Sequence, residues 1–257
     1  TSTRLDENTA AEFQQLSCSV NHMLDRLALS FDLQRQFAGN AAHELRTPLA
    51  MMQTKLELFT EEHSDVDAET SKLVQFQIDQ VDRLTSLVRT LLEMSNLQSV
   101  SRSDEIELAP LIDEILTDLT TLAERKNITL HQNCEDVHMI GSDTLIYRLL
   151  FNLIENAIKY NHPGGSVTVS IRKENHQALL HVADTGYGIP EEYRESIFQP
   201  FFRVDKSRSR QMGGVGLGLA LVREIAVLHG GSVYVESGSK DGTTFAVKLP
   251  LNGEKTE

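Results

Sequence analysis

Apolar residues recur along the first third of the chain at spacings of three, four and seven. Leu24, Phe31, Ala38, Leu45, Met52 and Phe59 fall at intervals of seven, and Ala42, Leu49 and Leu56 form a second row four residues after Ala38, Leu45 and Met52. Two rows at that spacing describe the seam of a helix packed in a bundle. Phe13, Leu16, Val20, Met23 and Leu27 describe an earlier coiled-coil seam. The two are out of phase, since Phe13, Val20 and Leu27 lead to Gln34 while the later row lies one residue further on. A skip of one residue changes helix winding locally. It is either an ordinary packing irregularity or a joint between two helical modules.

Residues 60–67 are polar and predict a hairpin tip. In the helix expected next, Val74, Ile78, Val81, Val88 and Leu92 make the seam, and Leu73, Phe76, Leu84, Leu87 and Leu91 widen the apolar face. Two antiparallel helices cannot bury faces that wide between themselves. Pairing with a second copy in a four-helix bundle would, so a homodimer is expected.

The periodicity changes after the polar run Ser99–Ser103. Ile106 and Leu108 predict a strand, Pro110 opens a helix through Leu122, and a second helix spans about 143–160. Short strands are expected at 128–130, 139–140, 167–171, 178–183, 233–236 and 245–249. This irregular order predicts a mixed sheet with helices on one face.

Composition narrows the function classes. The 257 residues are long enough for two ordinary domains, and 40% hydrophobic with 24% charged residues is globular usage. The net charge of −13 argues against a nucleic-acid partner, because a phosphate backbone would be repelled. No apolar run approaches the ~20 residues of a bilayer span. Cys18 and Cys134 lack metal-ligand spacing and are expected as free thiols in a reducing compartment.

The candidate chemistry begins at His43. It lies one residue beyond the Ala42 row, which points its ring off the seam. Glu44 is its neighbour, Thr47 is one turn later, and Pro48 bends or loosens the helix just after it. A neutral imidazole with one nitrogen held by an acceptor such as Glu44 is a good nucleophile. The run His43-Glu44-Leu45-Arg46-Thr47-Pro48-Leu49 resembles the phospho-acceptor box of two-component sensor histidine kinases.

Four stretches in the second half place polar residues or glycines where a plain core would not want them. In Asn152-Leu-Ile-Glu155-Asn156-Ala-Ile-Lys159-Tyr160, the two asparagines share a helix face. They are either structural hydrogen bonders or oxygen ligands for Mg2+. Lys159 adds a phosphate-seeking cation and Tyr160 a face for a base. Asp184-Thr-Gly186-Tyr-Gly188 follows an apolar strand, where a carboxylate can accept a hydrogen bond from an exocyclic amine. Gly213-Gly214-Val-Gly216-Leu-Gly218 runs into an apolar helix, and such a loop suits phosphate oxygens. Asp241-Gly242-Thr243-Thr244-Phe245 enters the final strand.

In this order these stretches resemble the N, G1, G2 and G3 boxes of the histidine-kinase catalytic domain, with Ile197-Phe198-Gln-Pro-Phe201-Phe202-Arg203 resembling the F box. The resemblance implies a GHKL, or Bergerat-type, α/β sandwich shared with gyrase, Hsp90 and MutL ATPases. It also implies ATP and Mg2+ as cofactors. Asn156 is then the principal metal ligand with Asn152 assisting, Asp184 binds the adenine amine, Lys159 the phosphates and Tyr160 the ring. Gly186, Gly188, Phe198 and Thr243 belong to the nucleotide pocket. Gly214, Gly216 and Gly218 give the phosphate loop, and Arg203 meets the γ-phosphate. Thr185 stands where the family commonly has Asn, Tyr187 is bulky between two glycines, and Val215 replaces a frequent hydroxyl. Residues 205–212 read as a lid.

The expected architecture is multidomain, α then α+β: 1–30 resembling the end of a HAMP linker, 31–98 a dimerisation and phosphotransfer hairpin, and 104–252 the ATP-binding domain. The resemblance implies autophosphorylation of His43 and transfer to an aspartate of a response regulator, with Glu44 and Thr47 supporting kinase and phosphatase chemistry. It further implies the cytoplasmic portion of a membrane-anchored sensor whose N-terminal segments lie outside this sequence. A plain ATPase or chaperone of the same fold lacks the histidine box. A non-catalytic dimeric scaffold would follow if the Thr185, Tyr187 and Val215 departures abolished nucleotide binding.

Overall fold

The computed structural model describes residues 11–63, 66–204, 215–239 and 242–251, with side chains described for all of these except 11–16, 27, 28, 30–38 and 239. The N-terminal half is a helical hairpin. Helix α1 (Ala11–Glu62) is a single element of 52 residues that runs through Pro48 without interruption. Proline removes the backbone donor that would serve the carbonyl of Glu44, yet burial of Ala42 and Leu49 holds α1 on both sides of it. Where the two α1 seams fall out of phase, roughly 24–36, most side chains lie outside the described set.

Helix α2 (Ala68–Asn96) starts where the sequence provides a cap. One carboxylate oxygen of Asp67 accepts from the amides of Glu69 and Thr70, at 2.9 and 2.8 Å, and the other from the Thr70 hydroxyl at 2.7 Å. These bonds, led by the Thr70 amide, hold the Asp67 carboxyl below its ordinary pKa. Only one of the two expected α1 rows lies in the seam between the helices. Ala42 and Leu49 pack with Val81, Val88 and Leu92, flanked by Leu56 and Leu91. Leu45 and Met52 of the other row are exposed in the single chain, as are Met51, Leu58, Leu73, Phe76 and Leu84.

The second half is a sheet under a layer of helices. Strands β2 (Thr129–Cys134), β4 (Ser166–Glu174), β5 (Gln177–Asp184), β6 (Ser232–Ser239) and β7 (Gly242–Pro250) form one sheet in the order β2-β4-β5-β7-β6. The β2–β4 pair is parallel and the others are antiparallel. Short β1 (Asp104–Glu107) and β3 (His138–Gly141) pair separately. Alternation gives the sheet its inner face: Val167, Val169 and Ile171 of β4 and Ala178, Leu180 and Val182 of β5 are buried. Helices α3 (Leu108–Lys126), α4 (Asp143–Lys159) and α5 (Gly218–Leu228) close over it.

One local expectation is corrected. Leu108 is the first residue of α3 rather than part of a strand, and its amide donates to the Val137 carbonyl at 3.0 Å. The core of the second half reaches back across the run 99–103. Leu97 is buried in the core of the second half, with Met94 and Val100 packed against it.

Candidate functional site

The site is built on α4. Its buried face, including Leu149, Leu153, Ile154, Ala157 and Ile158, is fixed by the sheet. That packing turns Asn152, Glu155, Asn156 and Lys159 toward a cavity of about 450 Å³. The Asn152 side-chain amide donates to the Arg148 carbonyl at 2.7 Å, which leaves its oxygen as the group available to a cation. Gly218, at the start of α5, permits the close approach of that helix: a Cβ there would lie 2.8 Å from Asn152 Oδ1. Lys159 is held by Glu155, with Nζ to Oε1 at 2.9 Å. Lys126 in turn donates to the Lys159 carbonyl at 2.7 Å, at the end of α4.

Asp184 ends β5 on the opposite wall. Its Oδ1 accepts from the amides of Gly186 at 2.8 Å and Thr243 at 3.2 Å. Burial pushes its carboxyl up to about 6, and the two amides oppose that rise. Gly186 is required by space, since a Cβ there would lie 2.3 Å from the Tyr160 carbonyl oxygen. Tyr160, Gly188 and Thr243 line the cavity with Asp184, and Arg203, Gly216 and Gly218 line it from the F-box and glycine-loop side. Gly216 has φ 80° and its carbonyl accepts from the Phe201 amide at 2.8 Å. Gly214 and the expected lid, 205–212, lie outside the described residues.

Two expected pocket residues do not line the cavity: Gly186, whose amide instead holds Asp184, and Phe198. Phe198 is buried edge-on against Phe245, at 6.3 Å between ring centroids, and its neighbour Ile197 lines the wall instead. Ile197, Ile189, Phe202, Leu219 and Phe245 supply an apolar slot, so Phe198 supports the slot from behind. Thr185 does not line the cavity either. Its hydroxyl accepts from the Ser166 amide at 2.8 Å and donates to Asn161 Oδ1 at 3.1 Å, which gives this position a structural task. Ser86 and Thr90 of α2 do line the cavity. Small hydroxyls on a helix face carry no sequence signal, and they were not anticipated.

His43, Glu44 and Thr47 are exposed on α1, and none of them lines the cavity. The helices approach closely one turn before His43, where a Cβ on Gly39 would lie 3.1 Å from Ser95 Oγ. Among the described residues no helix is long and apolar enough to cross a membrane, and no group of three or more His, Cys, Asp or Glu side chains could hold a metal. Asn152 and Asn156 offer carboxamide oxygens, which suit a cation also held by waters and ligand phosphates.

Comparison with known proteins agrees with this division. Residues 33–100 match the His Kinase A (phospho-acceptor) domain, and residues 141–253 match the histidine kinase-, DNA gyrase B- and HSP90-like ATPase family. The sensor histidine kinase RppB of Synechocystis sp. is 36% identical over 228 residues, 86% of this chain and 50% of that protein. The signal transduction histidine-protein kinase ArlS of Staphylococcus aureus is 34% identical over 244 residues, 92% of this chain and 53% of that protein. The chain thus spans about half the length of these relatives. Among solved structures, full-length ShkA with AMPPNP superimposes with a TM-score of 0.69 at 23% identity, over 84% of this chain and 46% of that one, and shows the shared fold. Histidine kinase ThkA in complex with the response regulator protein TrrA matches with a TM-score of 0.62 at 26% identity, over 90% and 64% of the two chains. With both family models matched and relatives at 36% and 34% identity over most of its length, this chain belongs to the class I sensor histidine kinase family.

Proposed function

We propose that this chain transfers the γ-phosphoryl group of ATP to His43 and passes it on to an aspartate of a separate response regulator. The observation that carries this reading is the cavity between Asp184 and the Asn152–Asn156 face, in a chain that also exposes His43 on α1. In the first step an imidazole nitrogen of His43 bonds to the γ-phosphorus as the bond to the ADP oxygen breaks. Glu44 accepts a hydrogen bond from the other ring N–H and orients the nucleophile. Asp184 accepts from the adenine amine, Tyr160 and the apolar slot cover the ring, and the amides near Gly216 and Gly218 face the phosphates. Arg203 and Lys159 neutralise phosphate charge. Asn156 and Asn152 would hold Mg2+ through their carboxamide oxygens, and the ion would supply charge neutralisation for the phosphoryl group.

The exposed apolar positions on both hairpin helices support a homodimer in which a second copy covers them. The likeness to ThkA, solved with a response regulator, supports such a partner here. The sensor relatives, about twice as long, support a full-length protein anchored in the plasma membrane with this portion on the cytoplasmic side. Thr47, one turn from His43, positions water for dephosphorylation of the regulator.

The deciding experiment is incubation with γ-labelled ATP and Mg2+, comparing the parent with His43→Gln. Acid-labile, alkali-stable label is expected in the parent alone; label retained in the variant would overturn the assignment of His43. Thr47→Ala should spare autophosphorylation and impair regulator dephosphorylation, and equal loss of both would overturn its role.

A further inference from the structure

The turn after α4 buries a polar side chain that lines no part of the cavity. Asn161 follows Tyr160 and is 5% exposed. Its Nδ2 donates to the Ser166 carbonyl at 2.9 Å, and its Oδ1 accepts from the His162 amide at 2.9 Å. A backbone carbonyl only accepts and a backbone amide only donates, so these two partners fix which way the carboxamide faces. Oδ1 then also accepts from the Thr185 hydroxyl at 3.1 Å, and that hydroxyl accepts from the Ser166 amide at 2.8 Å. Glycine provides the room for this cluster. A Cβ on Gly165 would lie 2.3 Å from Asn161 Oδ1 and 2.5 Å from Thr185 Oγ1.

The cluster joins two walls of the cavity from behind. Asn161 is the chain neighbour of Tyr160 and Thr185 that of Asp184, and both Tyr160 and Asp184 line the cavity. Beside the cluster, the Tyr160 carbonyl accepts from the Tyr187 amide at 3.2 Å. A Cβ on Gly186 would lie 3.0 Å from Asn161 Cα and 2.9 Å from Asp184 Oδ1, so the turn after β5 is pressed onto the end of α4. The bonds of Asn161 and Thr185 thereby set the offset between the tyrosine and the carboxylate.

We propose that Asn161 and Thr185 are positioning residues for base recognition: they hold the Asp184 carboxylate where it accepts from the exocyclic amine of a ring lying against Tyr160, and so set a preference for adenine over a base with an oxo group at that place. The proposal rests on the nucleotide-binding part of the kinase reading. Asn161 carries the larger share because it is buried, whereas Thr185 is exposed and its bonds compete with water.

The test is calorimetry of the full chain with Mg2+·ADP and with Mg2+·IDP, whose inosine base has an oxygen in place of the amine. The parent is compared with Thr185→Val, Thr185→Ser and Asn161→Ala, with chemical denaturation of each. Thr185→Val should bind ADP roughly two- to tenfold more weakly, the equivalent of one net hydrogen bond, and its preference for ADP over IDP should shrink by a similar factor. Asn161→Ala should lose more of both. Thr185→Val keeps the branched shape at an exposed position, so it decides the matter even where Asn161→Ala fails to fold. Thr185→Ser retains the hydroxyl and should match the parent. A purely structural role would lower the denaturation midpoint of Thr185→Val and leave its base preference at the parent value, which would overturn the proposal. A Thr185→Ser variant that behaves like Thr185→Val would overturn it too. A parent that binds neither nucleotide overturns the nucleotide-binding reading along with it, whereas a parent that binds ADP, beside an unchanged preference in Thr185→Val, overturns the positioning roles alone.

Discussion

At Asp184 the demands of folding and of binding pull in opposite directions. Its carboxyl titrates near 6 because it is buried, so between about pH 4 and that value the folded chain holds a proton that the unfolded chain has released. The stability this lends is fully present below the ordinary aspartate value and is lost as pH rises through 6. Asp184→Asn should therefore stabilise the ligand-free protein above pH 7, by on the order of 1–3 kcal/mol in chemical denaturation, while abolishing ADP binding. In the parent, ADP affinity measured by calorimetry should fall as pH drops below about 6, because the protonated carboxyl loses acceptor strength for the adenine amine. His229 acts with the opposite sign. Its Nε2 accepts from the Ser142 amide at 3.1 Å, its Nδ1 donates to the Ile225 carbonyl at 2.8 Å, and burial depresses its pKa. Its contribution is fully present above the ordinary histidine value of about 6.5 and is lost as pH falls below it. His229→Ala should remove that acid-side dependence from the denaturation profile. Asp184, which lines the cavity, was legible only through the ordered set of boxes, since Asp184-Thr-Gly186-Tyr-Gly188 alone reads as a turn. His229 was not, because its partner amide lies 87 residues away. Thr185 reads from the sequence as a departure at a nucleotide contact because its partners, Ser166 at the start of β4 and Asn161 after α4, lie 19 and 24 residues away.

Among the elements, the hairpin shows what periodicity can and cannot tell. The spacing of seven identified both apolar rows of α1, but not which row α2 would bury. Small Ala42 settled the matter by letting the helices close, with Gly39 against Ser95 one turn away. The row of Leu45 and Met52 is exposed in the single chain, together with Phe76 and Leu84 on α2, and the proposed dimer would cover it. Charged substitutions there should cost assembly more than folding. The double variant Phe76→Asp/Leu84→Asp is expected to sediment as a helical monomer, and an unchanged dimer would remove these faces from the interface. The site helices were easier to read, since α4 needs one face for the sheet and shows Asn152, Asn156 and Lys159 on the other.

For the whole molecule, the informative residue is Leu97. Its side chain, 4% exposed, sits in the core of the ATP-binding half although it follows the last turn of α2. A fragment beginning at residue 104 should be less stable than one beginning at residue 92, by about 2–5 kcal/mol as for removal of a buried leucine. The sequence could not reveal this, because polar residues 99–103 look like a boundary whichever core Leu97 joins. The consequence concerns where motion starts. A chain that swivelled at 99–103 would turn downstream of Leu97 and pull against a side chain already rooted in the moving body. If the ATP-binding half turns toward His43 as proposed, Leu97 travels with it, so the turn would fall upstream of Leu97, at the end of α2. Opening there would break helical hydrogen bonds of α2, a cost that a swivel within 99–103 would not carry.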